Sequence, residues 1–158
     1  PFNLPIGVSV YPTEHTPERL HDLGVAEVKF NLEAATPAIF AEVCPDLDYN
    51  LIRDVLERSV VLFGRNRVFS NVIIGLGETD AEMEQCIRSL VRSGVIPVLR
   101  PLNPTAGFCG HDRPPASRLL HLLGVHERAL ADAGLDTSVS LTMCTTCTGC
   151  DLVPGRDT

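Results

Sequence analysis

Residues Val25 to Glu33 read VAEVKFNLE, and residues Val68 to Leu76 read VFSNVIIGL before running into Gly77-Glu78-Thr79. Side chains alternate between the faces of a strand, so Val28, Phe30 and Leu32 share one face of the first stretch and Lys29, Asn31 and Glu33 the other. Working outward, Leu4 to Tyr11 (LPIGVSVY) reads as a strand closed by Pro12, and Val95 to Leu102 (VIPVLRPL) as another. Helical stretches separate them. Thr16-Pro17 and Thr36-Pro37 are cap-plus-proline starts, for helices running to about Gly24 and Cys44. Tyr49 to Phe63, Asp80 to Arg92 and Pro115 to Ala133 are further helices, each stopped at or near a glycine. A short apolar stretch, Ser138 to Met143, is predicted as a last strand.

Strands separated by helices imply parallel βαβ units with right-handed crossovers. A complete (β/α)8 barrel takes roughly 200–250 residues. The 158 residues here supply four or five strands. The predicted fold is therefore α/β: a partial (β/α) barrel over residues 1–135, followed by a Cys-rich tail over 136–158. The first strand of such a half barrel has an unpaired edge, for which self-association is an expected outcome.

Composition narrows the function classes. The chain is 44% apolar and 21% charged, with formal net charge −7. That is a globular composition, and its acidity argues against non-specific nucleic-acid binding. No apolar run approaches a membrane span, and no signal peptide is evident. A cytoplasmic location is expected.

In a parallel α/β fold, ligands bind at the carboxyl ends of the strands. Lys29, Asn31 and Glu33 point one polar face toward that end; an exposed strand edge is the alternative reading. Gly75 and Gly77 allow a backbone to approach a flat ligand, and Glu78 stands where a helix start favours a carboxylate. The same residues also suit a tight strand-to-helix turn. Arg100, ending the fourth strand, suits a ligand carboxylate or an internal acidic partner. The six cysteines divide into isolated Cys44, Cys86 and Cys109 and the triplet Cys144, Cys147 and Cys150, spaced C-x-x-C-x-x-C. Three thiols at that spacing suit an iron–sulfur cluster, with zinc as the rival and Cys109 or His111 as candidate fourth ligands. Cys86 reads as core filling. The histidines (His15, His21, His111, His121 and His126) show no ligand spacing and read mostly as surface residues.

The order of a strand ending in Asn31-Leu32-Glu33, a long helix and then NVIIGLGET resembles the second half of the radical S-adenosylmethionine (radical SAM) enzymes, in particular their biotin synthase-like branch. The match runs from about Gly7 to Pro104. Asn71, Ile73, Gly75 and Glu78 are similar to the family's G-x-I-x-G-x-x-E pattern, with Asn71 standing where the pattern has its first glycine. The resemblance implies that this strand helps to seat the adenine of S-adenosylmethionine. It also implies that Asn31 and Glu33 contact the ribose hydroxyls or the methionine part. The implied chemistry is reductive cleavage of S-adenosylmethionine by a [4Fe-4S] cluster, giving a 5′-deoxyadenosyl radical that takes hydrogen from a small-molecule substrate. A flavodoxin or ferredoxin is the implied electron donor, and the tail cysteines are the implied seat of an auxiliary cluster.

The family's C-x-x-x-C-x-x-C motif has no counterpart here, so these residues are expected to be the carboxyl-terminal part of a longer enzyme. Biotin synthase's second-cluster cysteine is replaced in the Phe69-Ser70-Asn71 neighbourhood, so sulfur insertion is not expected. Two other classes fit the residues: a zinc-stabilised α/β interaction module, and an ordinary α/β-barrel enzyme acting on a carboxylated small molecule through Lys29 and Glu33.

Overall fold

The computed structural model describes residues 3–104, 110–147 and 149–157. Four strands form one parallel sheet in the order β1 (Gly7–Ser9), β2 (Glu27–Lys29), β3 (Val68–Ile74) and β4 (Ile96–Pro101). The helices are α1 (Thr16–Asp22), α2 (Pro37–Val43), α3 (Tyr49–Phe63), α4 (Asp80–Arg92) and α5 (Ala116–Ala133). The fold is α/β of the TIM-barrel type, with four parallel strands in an open sheet.

Side-chain caps start α2, α3 and α4 where the sequence places them, but not α1: Thr16 is its first helical residue, after His15, and no side chain caps it. The Asp48 carboxylate accepts the amides of Asn50 (2.8 Å) and Leu51 (3.1 Å) at the start of α3. At the start of α4, Thr79 Oγ1 accepts the Glu82 amide (3.3 Å) and Glu82 Oε2 accepts the Thr79 amide (2.7 Å), a reciprocal capping box.

Register assigns the faces. Lys29, Phe69 and Ile96 form one row, Asn71 and Val98 the next, and Ile73 and Arg100 the last. The opposite face carries Val28, Val72, Ile74 and Leu99, all fully buried with Met83, Ile87 and Leu122 from the helices. That face holds most of the aliphatic core.

The chain after α5 corrects one expectation. Ser138 to Met143 does not form a strand; Thr137–Val139 is a 3-10 turn. The amides of Leu141 (2.7 Å) and Thr142 (2.8 Å) go instead to the buried carboxylate of Glu27. Glu27 also accepts the Thr142 hydroxyl (2.8 Å) and pairs with Arg67 (2.9 Å). Thr142 and Met143 lie so close over Gly7 that a Cβ there would collide with both. Further on, Leu152 bridges Leu99 in antiparallel sense, its amide donating to the Leu99 carbonyl (2.8 Å). The tail therefore crosses the inner face of the sheet from β1 and β2 to β4. It buries the polar residues Glu27 and Lys29 and pairs with β4's outer edge. The β1 edge keeps Leu4, Ile6 and Val10 exposed.

Candidate functional site

The site begins with an irregularity in β2. Between the pairs Lys29–Phe69 and Glu33–Val72, β2 advances four residues while β3 advances three. One residue is extra, which makes a bulge. The ladder is interrupted there: the Leu32 amide turns to Ser70 Oγ (2.9 Å). The Ala34 amide then donates to the Leu32 carbonyl (2.7 Å), across Glu33 at φ 61°. A three-residue turn with positive φ at its centre is the strained form of the γ-turn, rare for a residue with a side chain. Strain of this kind costs about 1–3 kcal/mol and persists only where the surroundings over-determine it. Here β3 supplies the restraint. The Glu33 amide donates to the Asn71 carbonyl (2.9 Å), and the Glu33 carbonyl accepts the Ile73 amide (2.7 Å).

Glu33 thus stands at the carboxyl end of β2, and its carboxylate meets Tyr11 from just beyond β1. The Tyr11 hydroxyl donates to Glu33 Oε1 at 2.8 Å. Desolvation and the Glu33 charge push the Cys44 thiol above its ordinary range, so Cys44 also stands within the field of that carboxylate. Neither Tyr11 nor Cys44 was expected from the sequence; their nearness depends on the γ-turn, which no local pattern announces.

Asn31 and Asn71 lie side by side on the inner face, the Asn71 amide 3.4 Å from Asn31 Oδ1. Asn71 is 3% exposed, and its Oδ1 is buried without a hydrogen-bond partner. An orphaned acceptor of this kind is costly unless something outside the chain satisfies it. Ile73, one row higher, is half-buried. The KFNLE and IIGLGE stretches thus meet at one end of adjacent strands.

The remaining expected residues have partners of their own. Glu78 is buried, and its carboxylate accepts the amides of Gly75 and Leu76 (2.8 Å each) and pairs with Arg118 (3.0 Å). It holds the turn rather than presenting a group to a ligand. A Cβ on Gly75 (φ 112°) would sit 2.8 Å from Pro114 Cγ, so the space this glycine leaves is filled by protein. Gly77 (φ 106°) faces open space. For Arg100 the structure takes the internal-partner reading: the guanidinium forms a two-point pair with Asp151 at 2.6 and 3.2 Å.

Lys29 is 7% exposed, and its ammonium donates to Cys144 Sγ at 3.1 Å. It faces the tail, not Glu33. Cys147 and Cys150 are exposed, and Cys109 lies outside the described residues. Among the described residues no three His, Cys, Asp or Glu side chains converge to hold a metal ion. As folded, the tail thiols do not form a ready cluster or zinc site. Cys86 is core filling as expected, its thiol pushed up to about 12 by burial. His126 departs from the surface reading: it is fully buried in α5, with neither ring nitrogen bonded.

A groove of about 320 Å³ between α4 and α5, lined by Arg88, Val91, Ala129 and Asp132, lies toward the carboxyl end of α4. It therefore opens at the amino ends of the strands, opposite the end that carries Glu33. No described helix is long and apolar enough to cross a membrane.

No protein-family model and no curated protein matches the sequence. Among solved structures, the chain is similar to a radical SAM methyltransferase from Sphaerobacter thermophilus. The identity is 22% and the TM-score 0.65, over 78% of this chain and 38% of that one. It is also similar to a protein from Burkholderia cenocepacia J2315 described as a phosphonomutase. There the identity is 18% and the TM-score 0.56, over 83% of this chain and 50% of that one. The chain thus spans half or less of each, and at these identities the likeness is one of fold.

Proposed function

We propose that this chain forms part of a radical SAM barrel of the biotin synthase-like kind, and that the carboxyl ends of β2 and β3 seat the adenosyl group of S-adenosylmethionine. The observation that carries this reading is the strained turn at Glu33, at the carboxyl end of β2, whose backbone is tied to that of Asn71, the residue with the orphaned Oδ1. The motif resemblance and the fold shared with a radical SAM methyltransferase support it.

The residues present suit such a ligand. A carboxylate at a strand end is a ribose-hydroxyl acceptor. Asn71 Oδ1 is a buried acceptor without a donor, as the exocyclic amine of adenine requires. Asn31 offers a second amide beside it, and Ile73 an apolar surface for the base. Bound S-adenosylmethionine supplies a 5′-deoxyadenosyl radical on one-electron reduction, which the whole protein would use on a small-molecule substrate. In this reading the radical [4Fe-4S] cluster has its ligands outside this chain, and a flavodoxin or ferredoxin supplies the electron. An auxiliary cluster on Cys144, Cys147 and Cys150 requires the tail to rearrange, because Cys144 is turned toward Lys29.

The test sets binding against stability. S-adenosylhomocysteine is titrated calorimetrically into the chain and into Glu33→Gly. The wild type is expected to bind and the variant to lose about tenfold or more, since a charge-assisted hydrogen bond contributes roughly 1.5–3 kcal/mol. Yet urea unfolding should show Glu33→Gly as stable as the wild type or more so. Relief of about 1–2 kcal/mol of left-handed backbone strain offsets the roughly 0.5–1 kcal/mol by which glycine favours the unfolded chain. Absence of binding by the wild type would overturn the proposal. So would a variant that loses stability while keeping affinity.

A further inference from the structure

Resting on the adenosyl-site reading, we infer that Tyr11 is a positioning residue: it fixes the Glu33 carboxylate for a vicinal diol and so sets a preference for ribosides over deoxyribosides. Three observations converge. The Tyr11 hydroxyl donates to Glu33 Oε1 at 2.8 Å across 22 residues of sequence. The last backbone tie between β1 and β2 is the Val10 amide on the Lys29 carbonyl (3.3 Å), so Tyr11 is the first residue beyond the paired strands. Glu33 Oε2 has no protein partner among the described residues.

The γ-turn fixes where the Glu33 side chain starts, but three rotatable bonds lie between that backbone and the carboxylate. Ordering them has an entropic cost that falls on binding unless the free protein has already met it. One hydrogen bond from a ring with only two torsions supplies that order. It occupies one acceptor site of about four on the carboxylate and leaves Oε2 for a sugar hydroxyl. Partial burial, the hydrogen bond and the Glu33 charge all push the Tyr11 phenol well above its ordinary range, so it remains a donor.

The experiment compares adenosine, 2′-deoxyadenosine and 3′-deoxyadenosine by ligand-observed NMR on the full chain. The wild type should favour adenosine over each deoxy analogue by about tenfold or more, as expected for losing one hydrogen bond to a charged group. Tyr11→Phe should reduce that ratio to about threefold or less, and should add nothing in a Glu33→Gln background. A second readout is independent of ligand. In a Tyr49→Phe background Tyr11 is the sole tyrosine, and its absorbance titration should return toward the ordinary phenol range when Glu33 becomes Gln. Adenosine preference retained in Tyr11→Phe overturns the role of Tyr11 while the adenosyl site stands. Absence of adenosine binding by the wild type removes both. An absorbance titration unmoved by Glu33→Gln also overturns the role, whatever the affinities.

Discussion

Single residues in this chain divide by whether their polar atoms find partners inside it. His126 is the clearest case away from Glu33 and Asn71. It lies in α5 with Leu122, Leu123, Val125 and Ala129 also buried, and burial alone pushes its imidazole down to about 3. An unfolded histidine titrates near 6.5. The folded state therefore keeps the ring neutral where the unfolded chain takes up a proton. Stability from this residue is complete above pH 6.5 and is lost as pH falls toward about 3. Between pH 7 and pH 5 the loss is about 2 kcal/mol by linkage. Urea unfolding at the two pH values should show it in the wild type and not in His126→Leu, which should also be the more stable at pH 5. An equal pH dependence in both proteins would place the effect elsewhere. Nothing in the sequence marked His126, since one polar residue on an apolar helical face looks like any surface histidine until the packing is known. Lys29, Asn31 and Glu33 were legible because strand alternation is local. The partners of Lys29 and Glu33, Cys144 and Tyr11, were not, because each contact joins distant segments.

At the scale of elements, legibility follows the reach of the signal. The bounds of α3 and α4 coincide with the sequence reading because caps and terminal glycines act within a few residues. The sequence pattern of β2 runs through Glu33, but its ladder stops at Lys29 because one extra residue is inserted against β3. The β3–α4 turn shows the same division. Its glycines suit either a ligand's approach or a tight turn, and the structure distinguishes them. Gly75 combines φ 112° with a Cβ position 2.8 Å from Pro114 Cγ; Gly77 combines φ 106° with open space. Gly77→Ala should therefore cost only its backbone strain, about 1–2 kcal/mol. Gly75→Ala adds displacement of Pro114, for a total of about 3 kcal/mol or more. Urea midpoints measured at unchanged m-value check the difference. Equal losses would mean that Pro114 yields freely and that Gly75 is required only for its φ.

At the largest scale, the described residues form a four-stranded open sheet whose inner face is covered by the tail. The sheet without that tail would leave Glu27, Lys29 and Arg100 facing solvent beside Phe69, Ile96 and Val98. With it, Glu27 is fully buried and accepts bonds from Leu141, Thr142 and Arg67, while Arg100 clasps Asp151. Burial opposes ionisation of Glu27, but the bonds from Leu141 and Thr142 prevail and hold its carboxyl below the ordinary range. Apart from the Leu152–Leu99 backbone bridge and the packing of Met143, the tail is tied to the sheet through charged groups, whereas α3 and α4 are tied by aliphatic packing. This difference predicts that the two can open separately. Glu27→Gln keeps the shape but sets an amide donor against donors, which should cost the clamp about 2–4 kcal/mol. Native-state hydrogen exchange should then quicken at residues 140–144, and iodoacetamide should alkylate Cys144 faster as its contact with Lys29 is released. The amides of α3 and α4 should keep their wild-type protection. If they quicken to the same extent as the tail, then sheet, helices and tail form one cooperative unit, and the tail is part of the core that makes the open sheet stable rather than a strap laid across it.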